Sequence, residues 1–194
     1  MSFYIFARAV VRTILKPLYR IETIGAEQFP KEGGVLVCTN HIDNLDPPVV
    51  GFTCPRPVYF MAKAELFKNP MSKKLMESIQ AFPVKRGMSD REALRNGLKL
   101  LKSGEVVGLF PEGTRSKNGE IGKGLAGAGF FALRSSAHVV PCAIIGPYKP
   151  FKKLKVVFGP PIDFTEMRNN KVSAEHATDA IMLEIKNIIE ENKS

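Results

Sequence analysis

The chain has 194 residues, of which 44% are hydrophobic, and its 28 Lys+Arg against 19 Asp+Glu give a formal net charge of +9. This length and apolar content predict one domain, with at most a small appendage and with a real core. The charge favours an anionic partner: nucleic acid, an anionic membrane surface, a phosphorylated substrate or an acidic carrier protein. Cys38, Cys54 and Cys142 have no C-x-x-C spacing, which predicts reduced core residues of a cytosolic protein and argues against a cysteine-based zinc site.

The amino-terminal segment, residues 1–20, combines basic and apolar side chains. Arg8, Arg12, Lys16 and Arg20 recur at every fourth position and would form one cationic stripe on a helix. The charges are too frequent for a membrane-spanning helix, and no A-x-A-like cleavage site follows. The pattern therefore predicts an amphipathic helix lying on anionic lipid. The alternative is a first helix packed on the domain, with its arginines in water. The apolar residues of the segment are Phe3, Tyr4, Ile5, Phe6, Val10, Val11, Ile14, Leu15 and Leu18.

An apolar run at residues 34–39 predicts a buried strand, and a His and an Asp follow it at positions 41 and 46. On one continuous helix, residues five apart point about 140° away from each other. His41 and Asp46 therefore meet only if the chain turns between them, and Pro47 disfavours helical geometry at Asp46. We expect a loop that holds the pair at the carboxyl end of the strand, where ligands bind in open α/β sheets. The alternative is a surface loop with a solvated His.

The rest of the chain alternates strand and helix patterns. Ser89 to Glu92 has the form of a capping box, and Gly104 supplies the stop of the helix that follows. Pro141 predicts a bulge or an edge position in its strand, and Ser173 caps a last helix with a stripe of isoleucines. The order predicts an α/β fold, a mostly parallel or mixed sheet flanked by helices, with residues 21–194 as a single domain. Strands are expected at 58–62, 82–85, 106–110, 139–145 and 154–158, and helices at 71–79, 89–103, 125–135 and from 173 onward.

Two further loops carry charges directly after predicted strands. The first contains Lys85 and Arg86 just before a helix start, and helix N-termini favour anions while Arg offers a bidentate fork for phosphate. The second, 110–116, reads Phe-Pro-Glu-Gly-Thr-Arg-Ser and places an acid and an Arg on either side of a Gly. Together with the His–Asp loop, these segments indicate a site assembled at the carboxyl edge of the sheet.

The order of these motifs resembles the glycerolipid acyltransferase family, specifically the 1-acyl-sn-glycerol-3-phosphate acyltransferases. Asn40, His41 and Asp46 match that family's N-H-x-x-x-x-D motif, and residues 110–116 match F-P-E-G-T-R-S without a gap. The second and fourth family motifs are matched around Arg86 and around Pro141. Two residues depart from the common pattern and bear on acceptor and donor preference; they are Lys85 and Leu125.

The resemblance implies transfer of a fatty acyl group from an acyl thioester to the free sn-2 hydroxyl of 1-acyl-glycerol-3-phosphate, which gives phosphatidic acid. His41 would act as general base and Asp46 would orient it. No metal and no cofactor are expected, because acyl-coenzyme A or acyl carrier protein serves as co-substrate. The implied location is peripheral or monotopic, on the cytoplasmic face of the cell membrane, with no nucleic-acid partner. The implied substrate-binding residues are Lys85, Arg86, Glu112, Gly113, Thr114 and Arg115.

Three alternatives stay open at this point. The first is acyl transfer to a different lysophospholipid or lyso-aminolipid, because the motifs define the reaction better than the acceptor. The second is a metal-dependent hydrolase with His41, Asp43, Asp46 and Glu112 as ligands. The third is a non-catalytic basic module that binds nucleic acid or membrane, although no nucleic-acid motif is visible.

Overall fold

The structure is a computed structural model that describes residues 2–85, 90–116 and 120–193. In these ranges the helices are α1 (Ser2–Leu18), α2 (Asp46–Thr53), α3 (Pro70–Ser78), α4 (Arg91–Lys102), α5 (Gly127–Arg134), α6 (Thr165–Asn169) and α7 (Ala174–Asn192). The strands are β1 (Glu22–Ile24), β2 (Val35–Thr39), β3 (Val58–Lys63), β4 (Ala81–Val84), β5 (Val106–Leu109), β6 (His138–Ile145) and β7 (Lys155–Phe158). Short 3-10 turns at Ala26–Gln28 and Ala64–Phe67 complete the described elements.

The strands form one mixed sheet in the order β1-β7-β6-β2-β5-β3-β4. The five strands from β6 to β4 run parallel to one another, whereas β7 is antiparallel to β6 and β1 follows the direction of β7. The mixed α/β sheet predicted from the sequence is therefore confirmed. Because parallel strands end at the same edge, the loops that follow β2, β4, β5 and β6 lie together along one side of the sheet.

Both faces of the sheet are covered, and β2 lies at its centre. Every residue of β2 is buried, with Val35 and Val37 in the core on one face and Leu36 and Cys38 in the core on the other. Such two-sided burial explains the uninterrupted apolar run in the sequence. Helices α1 and α2 pack on the first face, and α4, α5 and α7 pack on the second. The central strand thus carries the His–Asp loop out of the best-packed part of the molecule.

Helix α2 departs from the sequence prediction. The chain does turn between His41 and Asp46, and the Asp46 N–H donates to the Asp43 carbonyl at 3.2 Å. Asp46 is nevertheless the first residue of a helix, and the expectation that Pro47 would keep it out of helical geometry is wrong. The prolines occupy the first turn, where no intrahelical N–H bond is needed and where the φ angle of proline fits a helix.

Pro141 is not at an edge, because β6 is an inner strand, but the predicted bulge is found beside it: the pairing register shifts by one residue between Cys142, opposite Phe158, and Val139, opposite Ile162. The Val139 and Pro141 carbonyls accept hydrogen bonds from Ile162 and Gly159, both at 2.8 Å and both on the β7 side. In a strand, the N–H and C=O of one residue point to the same side, so the missing N–H of Pro141 faces that side too. The ladder with β7 begins only at Cys142. The proline is therefore tolerated in the middle of the sheet because it lies beyond the last paired residue of β7, where the Gly159 N–H donates to its carbonyl and no N–H of its own is required.

Helix boundaries are marked by the residue types that the sequence offers, with one correction. Asp90, not Ser89, caps α4, and its Oδ1 accepts from the Glu92 and Ala93 N–H groups at 3.1 Å. Ser89 lies outside the described residues. Gly104 follows α4 with a φ of 86°, and Ser173 caps α7 through a 3.1 Å bond from the His176 N–H. Two short elements, β1 and α6, have no counterpart in the predicted pattern.

Helix α1 packs on the domain along one face. Tyr4 is buried and its hydroxyl oxygen accepts from the Val58 N–H at 3.0 Å, while Val11 and Leu15 join the core. Arg8 leaves the predicted cationic stripe, because its guanidinium donates to the carbonyl of Cys54 at the end of α2. Phe3, Ile5, Phe6, Val10 and Ile14 remain exposed. Among the described residues, no helix combines the length and the apolar character that crossing a bilayer requires.

Candidate active site

The imidazole of His41 and the carboxylate of Asp46 form a buried pair. His41 Nδ1 lies 2.7 Å from Asp46 Oδ2, His41 is 8% exposed and Asp46 is fully buried. A carboxylate only accepts hydrogen bonds, so Nδ1 carries the proton and Nε2 of the neutral ring keeps its lone pair. The alternative of a solvated His in a surface loop is therefore wrong. This arrangement supplies a base held in one tautomer.

Asp46 is held by four donors in all. Its Oδ2 atom accepts from the Ile42 N–H at 2.6 Å and from the Asp43 N–H at 2.8 Å, in addition to His41. Its Oδ1 atom accepts from the hydroxyl of Tyr148 at 2.7 Å. A buried charge is tolerated when it is fully hydrogen-bonded, and these bonds also determine the direction of the carboxylate.

The His–Asp loop is tied to strand β6 on one side and to the loop after β5 on the other. The Asn40 side chain pairs with the Ile144 backbone of β6, with N–H···O distances of 2.8 and 3.0 Å. On the other side, Glu112 Oε1 accepts from the His41 N–H at 3.0 Å, and the Ser116 N–H donates to the His41 carbonyl at 2.8 Å. Strand β6, the His–Asp loop and the loop that follows β5 thus form one connected unit at the edge of the sheet.

A cavity of about 520 Å³ opens beside His41, a size typical of ligand sites. The His41 ring stacks on Phe110, with ring centroids 4.1 Å apart and planes inclined by 24°. The polar members of the lining are His41, Lys85 and Asp90, and the rest is mostly apolar. The lining also contains Met61, Val84, Ala93, Leu94, Gly108, Leu109, Phe110, Pro111, Gly113, Leu125, Ala126, Gly127, Ala128, Phe130, Phe131 and Ala174.

The predicted substrate-binding residues fall into three groups. Lys85 and Gly113 line the cavity, and a Cβ atom at Gly113, whose φ is +67°, would come within 2.6 Å of Leu125. Thr114 and Arg115 are exposed, outside the cavity lining that the structure describes. Glu112 is buried, and its two carboxylate oxygens accept from the His41 and Gly122 N–H groups. Arg86 lies outside the described residues.

Two contacts of the site were missed in the sequence. The Asn40 side chain pairs with the backbone of β6, and the Tyr148 hydroxyl reaches Asp46 from the segment just beyond β6. A polar residue just beyond the end of a strand beside β2 is the signal that points to Tyr148. The carboxylates of Asp46 and Glu112 are already engaged by hydrogen-bond donors, which argues against their use as metal ligands. Within the part of the chain that the structure describes, no three His, Cys, Asp or Glu side chains are grouped to hold an ion.

Comparison with known proteins agrees with this geometry. The family model described as Acyltransferase matches residues 20–145. The 1-acyl-sn-glycerol-3-phosphate acyltransferase of Bacillus subtilis is 32% identical over 199 aligned positions, which cover 98% of either protein. A chloroplastic 1-acyl-sn-glycerol-3-phosphate acyltransferase of Arabidopsis thaliana is 32% identical over 69% of this chain and 38% of its own length. The chain therefore belongs to the acyltransferase family. The resemblance to the 1-acyl-sn-glycerol-3-phosphate acyltransferases that the motifs indicate is confirmed.

The fold has a counterpart among solved structures. The crystal structure of a 1-acyl-sn-glycerophosphate acyltransferase from Thermotoga maritima superposes with a TM-score of 0.75 and covers 100% of this chain and 79% of that one. Its sequence identity is 24%, so this likeness describes the fold alone. The chain spans nearly the whole Bacillus relative but 51% of a Borreliella burgdorferi relative that is 28% identical.

Proposed function

We propose that this protein transfers a fatty acyl group from an acyl thioester to the sn-2 hydroxyl of 1-acyl-glycerol-3-phosphate and so produces phosphatidic acid. The observation that carries the proposal is the buried His41–Asp46 pair, 2.7 Å apart, at an apolar cavity of about 520 Å³. The names of the Bacillus and Arabidopsis relatives support the choice of acceptor. The net charge of +9 suits an anionic acceptor and either donor, since both coenzyme A and acyl carrier protein are anionic.

In the proposed reaction, His41 Nε2 takes the proton of the acceptor hydroxyl while the hydroxyl oxygen bonds to the thioester carbonyl carbon. Asp46 stabilises the imidazolium that forms, because it lies on the opposite ring nitrogen. The C–S bond then breaks, and the imidazolium returns its proton to the departing thiolate. The nucleophile belongs to the substrate, so no acyl-enzyme forms.

The site offers an apolar cavity for a hydrocarbon chain and arginine side chains for the phosphate of the acceptor. The apolar cavity beside His41 would hold a hydrocarbon chain, and burial of each methylene contributes about 0.8 kcal/mol. Arg115 is exposed and directly precedes Ser116, whose N–H donates to the His41 carbonyl, so Arg115 lies near the site in the chain and can meet a phosphate. Arg86 keeps its proposed role in phosphate binding. For Glu112 we favour a role in holding His41 over direct substrate contact, because both of its oxygens are engaged.

We also propose that α1 contacts anionic lipid on the cytoplasmic face of the membrane. With about 100° per residue, Tyr4, Arg8, Val11 and Leu15 occupy a packed sector of about 60°. The exposed Phe3, Phe6, Val10 and Ile14 occupy a separate sector of about 80°. The exposed Arg12 and Lys16 lie on the far side of the packed sector. A helix that packs on its domain therefore still offers an apolar strip to a membrane, and the two interpretations of the sequence are compatible.

An acceptor panel tests the function directly. The purified full-length protein is incubated with lysophosphatidic acid, other lysophospholipids and a lyso-aminolipid, each with acyl-coenzyme A and with acyl carrier protein as donor. We expect phosphatidic acid as the main product, with kcat/KM highest for lysophosphatidic acid. A higher kcat/KM for another lysolipid would favour the alternative acceptor, and no acyl transfer with any pair would contradict the proposal.

A further inference from the structure

Tyr148 is a polar residue at the site that no family motif of the sequence contains. It lies just beyond β6, at the same edge of the sheet as the His–Asp loop, and its hydroxyl donates to Asp46 Oδ1 at 2.7 Å. The two residues are 102 positions apart in the sequence. The Tyr148 ring is partly buried and packs edge-on against Tyr19, with ring centroids 5.4 Å apart. The hydroxyl therefore reaches Asp46 from a well-packed position.

We propose that Tyr148 is a positioning residue that fixes the Asp46 carboxylate and moderates the negative charge that Asp46 presents to His41. The contact supplies the donor seen on Oδ1, whereas Oδ2 is shared by His41 and two backbone N–H groups. A donor on one carboxylate oxygen draws charge away from the other. With Tyr148 in place, Asp46 attracts the imidazolium less strongly, so more of His41 stays neutral and able to accept a proton.

The surroundings of Tyr148 keep its hydroxyl protonated, so it acts as a hydrogen-bond donor to Asp46. Burial raises the pKa of Tyr148, and the negative charge of Asp46, with a smaller effect of Asp43, raises it further. Tyr19, from the segment after α1, also faces Tyr148, and Glu112 binds the His41 backbone from the loop after β5. Because the phenol stays protonated throughout the working pH range, its effect on Asp46 is that of a fixed hydrogen bond.

The experiment compares Tyr148→Phe with Tyr19→Phe in the full-length protein. Each variant loses one hydroxyl from the same aromatic pair, but only Tyr148 contacts Asp46. The chain has 3 His, so ring resonances can be followed by NMR across pH and the His41 signal assigned with His41→Ala. For Tyr148→Phe we expect the His41 titration midpoint to move to higher pH by about 0.5–1 unit, since part of a charge-assisted hydrogen bond is transmitted through Asp46. For Tyr19→Phe we expect no change.

The kinetic readout rests on the proposed function, whereas the NMR readout does not. The acid limb of kcat/KM against pH should move upward together with the midpoint, and kcat on the plateau should fall about threefold to tenfold. The KM for each substrate should stay within about twofold, because Tyr148 acts through Asp46. Introducing 3-fluorotyrosine at position 148, a stronger donor of nearly the same size, should shift the midpoint in the opposite direction.

An unchanged His41 midpoint in Tyr148→Phe would overturn the proposal, even if activity falls, because the residue would then only support the loop. Equal shifts in the Tyr148→Phe and Tyr19→Phe variants would overturn it as well, since ring packing and not the hydroxyl would be responsible. Failure of the proposed function is a separate result, since the unsubstituted protein would then form no phosphatidic acid while the NMR comparison would remain valid.

Discussion

The loops after β2 and β5 meet at one edge of the sheet but differ in how they are held. In the β2 loop the side chains of His41 and Asp46 are buried, and Asp46 alone accepts four hydrogen bonds. The β5 loop begins with the buried Glu112 and then exposes Thr114 and Arg115. The pair proposed for proton transfer is thus oriented before any substrate binds, whereas the proposed anion-binding side chain keeps its freedom. We therefore expect changes in the first loop to lower kcat and changes at the outer end of the second to raise the KM of the acceptor.

The largest expected effect is that of His41→Ala. Removal of the base should lower kcat by a factor on the order of 10⁴, because proton transfer in the transition state accounts for about 10²–10⁴ of rate and the empty space also disorders Asp46. The thermal midpoint should fall only modestly, since the ring is at the cavity and not in the central core. His176→Ala is the matched control, because His176 is exposed on α7. Near wild-type turnover by the purified His41→Ala variant would contradict the proposed mechanism.

Asp46→Asn should lower kcat by about 10²–10³ and should destabilise the protein more than His41→Ala does. An Asn side chain places an N–H₂ group among donors that now point at a carboxylate, namely the Ile42 and Asp43 N–H groups and the Tyr148 hydroxyl. An unmatched buried polar group costs about 1–3 kcal/mol. Denaturant unfolding measures the loss of stability and steady-state assays the loss of rate. A folded variant of unchanged stability would show that the bonds to Asp46 are weaker than their geometry suggests.

Arg115→Ala should act on binding and leave the proton-transfer pair intact. Loss of a charge-assisted contact to phosphate costs about 1.5–3 kcal/mol, which corresponds to a decrease of about 10–150-fold in kcat/KM for the acceptor. The KM of the acyl donor should change by less than about threefold. Arg86→Ala is expected to behave in the same way. Arg134→Ala, at the exposed end of α5, is the control, and equal acceptor kinetics for all three variants would move the phosphate site elsewhere, with Lys63 and Lys123 next to test.

Several features of this site follow from the chain pattern alone. A strand that is apolar at every position predicts a central strand, and motifs that follow strands predict loops gathered at one edge of the sheet. The turn between His41 and Asp46 follows from helix geometry, because residues five apart on a helix point about 140° away from each other. These inferences succeed because local periodicity and the alternation of strands with helices can both be recognised from consecutive residues.

The remaining features depend on pairings that consecutive residues do not specify. Tyr148 contacts Asp46 from 102 positions away, and that contact exists only because β6 lies beside β2 in the sheet. The sequence motif predicts that Glu112 binds substrate, but its carboxylate is buried and accepts from two backbone N–H groups. Local backbone preferences alone do not determine the roles of Pro47 and Pro141. Pro47 is tolerated because it lies in the first turn of α2, and Pro141 because it lies beyond the last paired residue of β7.

The exposed face of α1 is the surface proposed to bind the membrane, and substitutions there test that proposal. Replacing Phe3, Phe6 and Ile14 by Ser should abolish most of the salt-insensitive binding to anionic vesicles, because those side chains are exposed and apolar. Replacing Arg12 and Lys16 by Gln should remove the salt-dependent part, about 1 kcal/mol per charge. Arg8 is left unchanged because it caps α2.

Co-sedimentation with vesicles across ionic strength separates the two contributions. Substitution is preferable to deletion of residues 2–16, because deletion would remove Tyr4, Val11 and Leu15 from the core and expose the apolar groove beneath α1. If both variants sediment like the wild type at every salt concentration, α1 is only a packing helix and the enzyme meets its lipid substrate through another surface.

The smallest expected effect concerns the three cysteines, which lie in the buried part of the protein. Cys38, Cys54 and Cys142 are buried. Burial raises the pKa of the Cys54 thiol to about 12 and raises that of the other two thiols as well. Because the thiolate is the reactive form, the native protein should not react with iodoacetamide at pH 8 within hours, whereas the unfolded chain should take up one label per cysteine.

The same shifts set the sign of a pH effect on stability. Unfolded thiols lose their protons near ~8.5, whereas the folded thiols keep theirs, so the folded state binds more protons above that pH. The contribution of the buried thiols is fully present below about 8.5 and is lost as the pH rises from there toward the folded pKa of Cys54, about 12. Denaturant unfolding at pH 8 and at pH 10 should therefore give a lower free energy of unfolding at pH 10, and Cys38→Ala with Cys142→Ala should reduce that difference. Rapid labelling of native Cys38 at pH 8 would mean that β2 opens far more often than its two-sided burial indicates. The contrast between a well-held loop proposed for proton transfer and an exposed loop proposed for anion binding would then lose its physical basis.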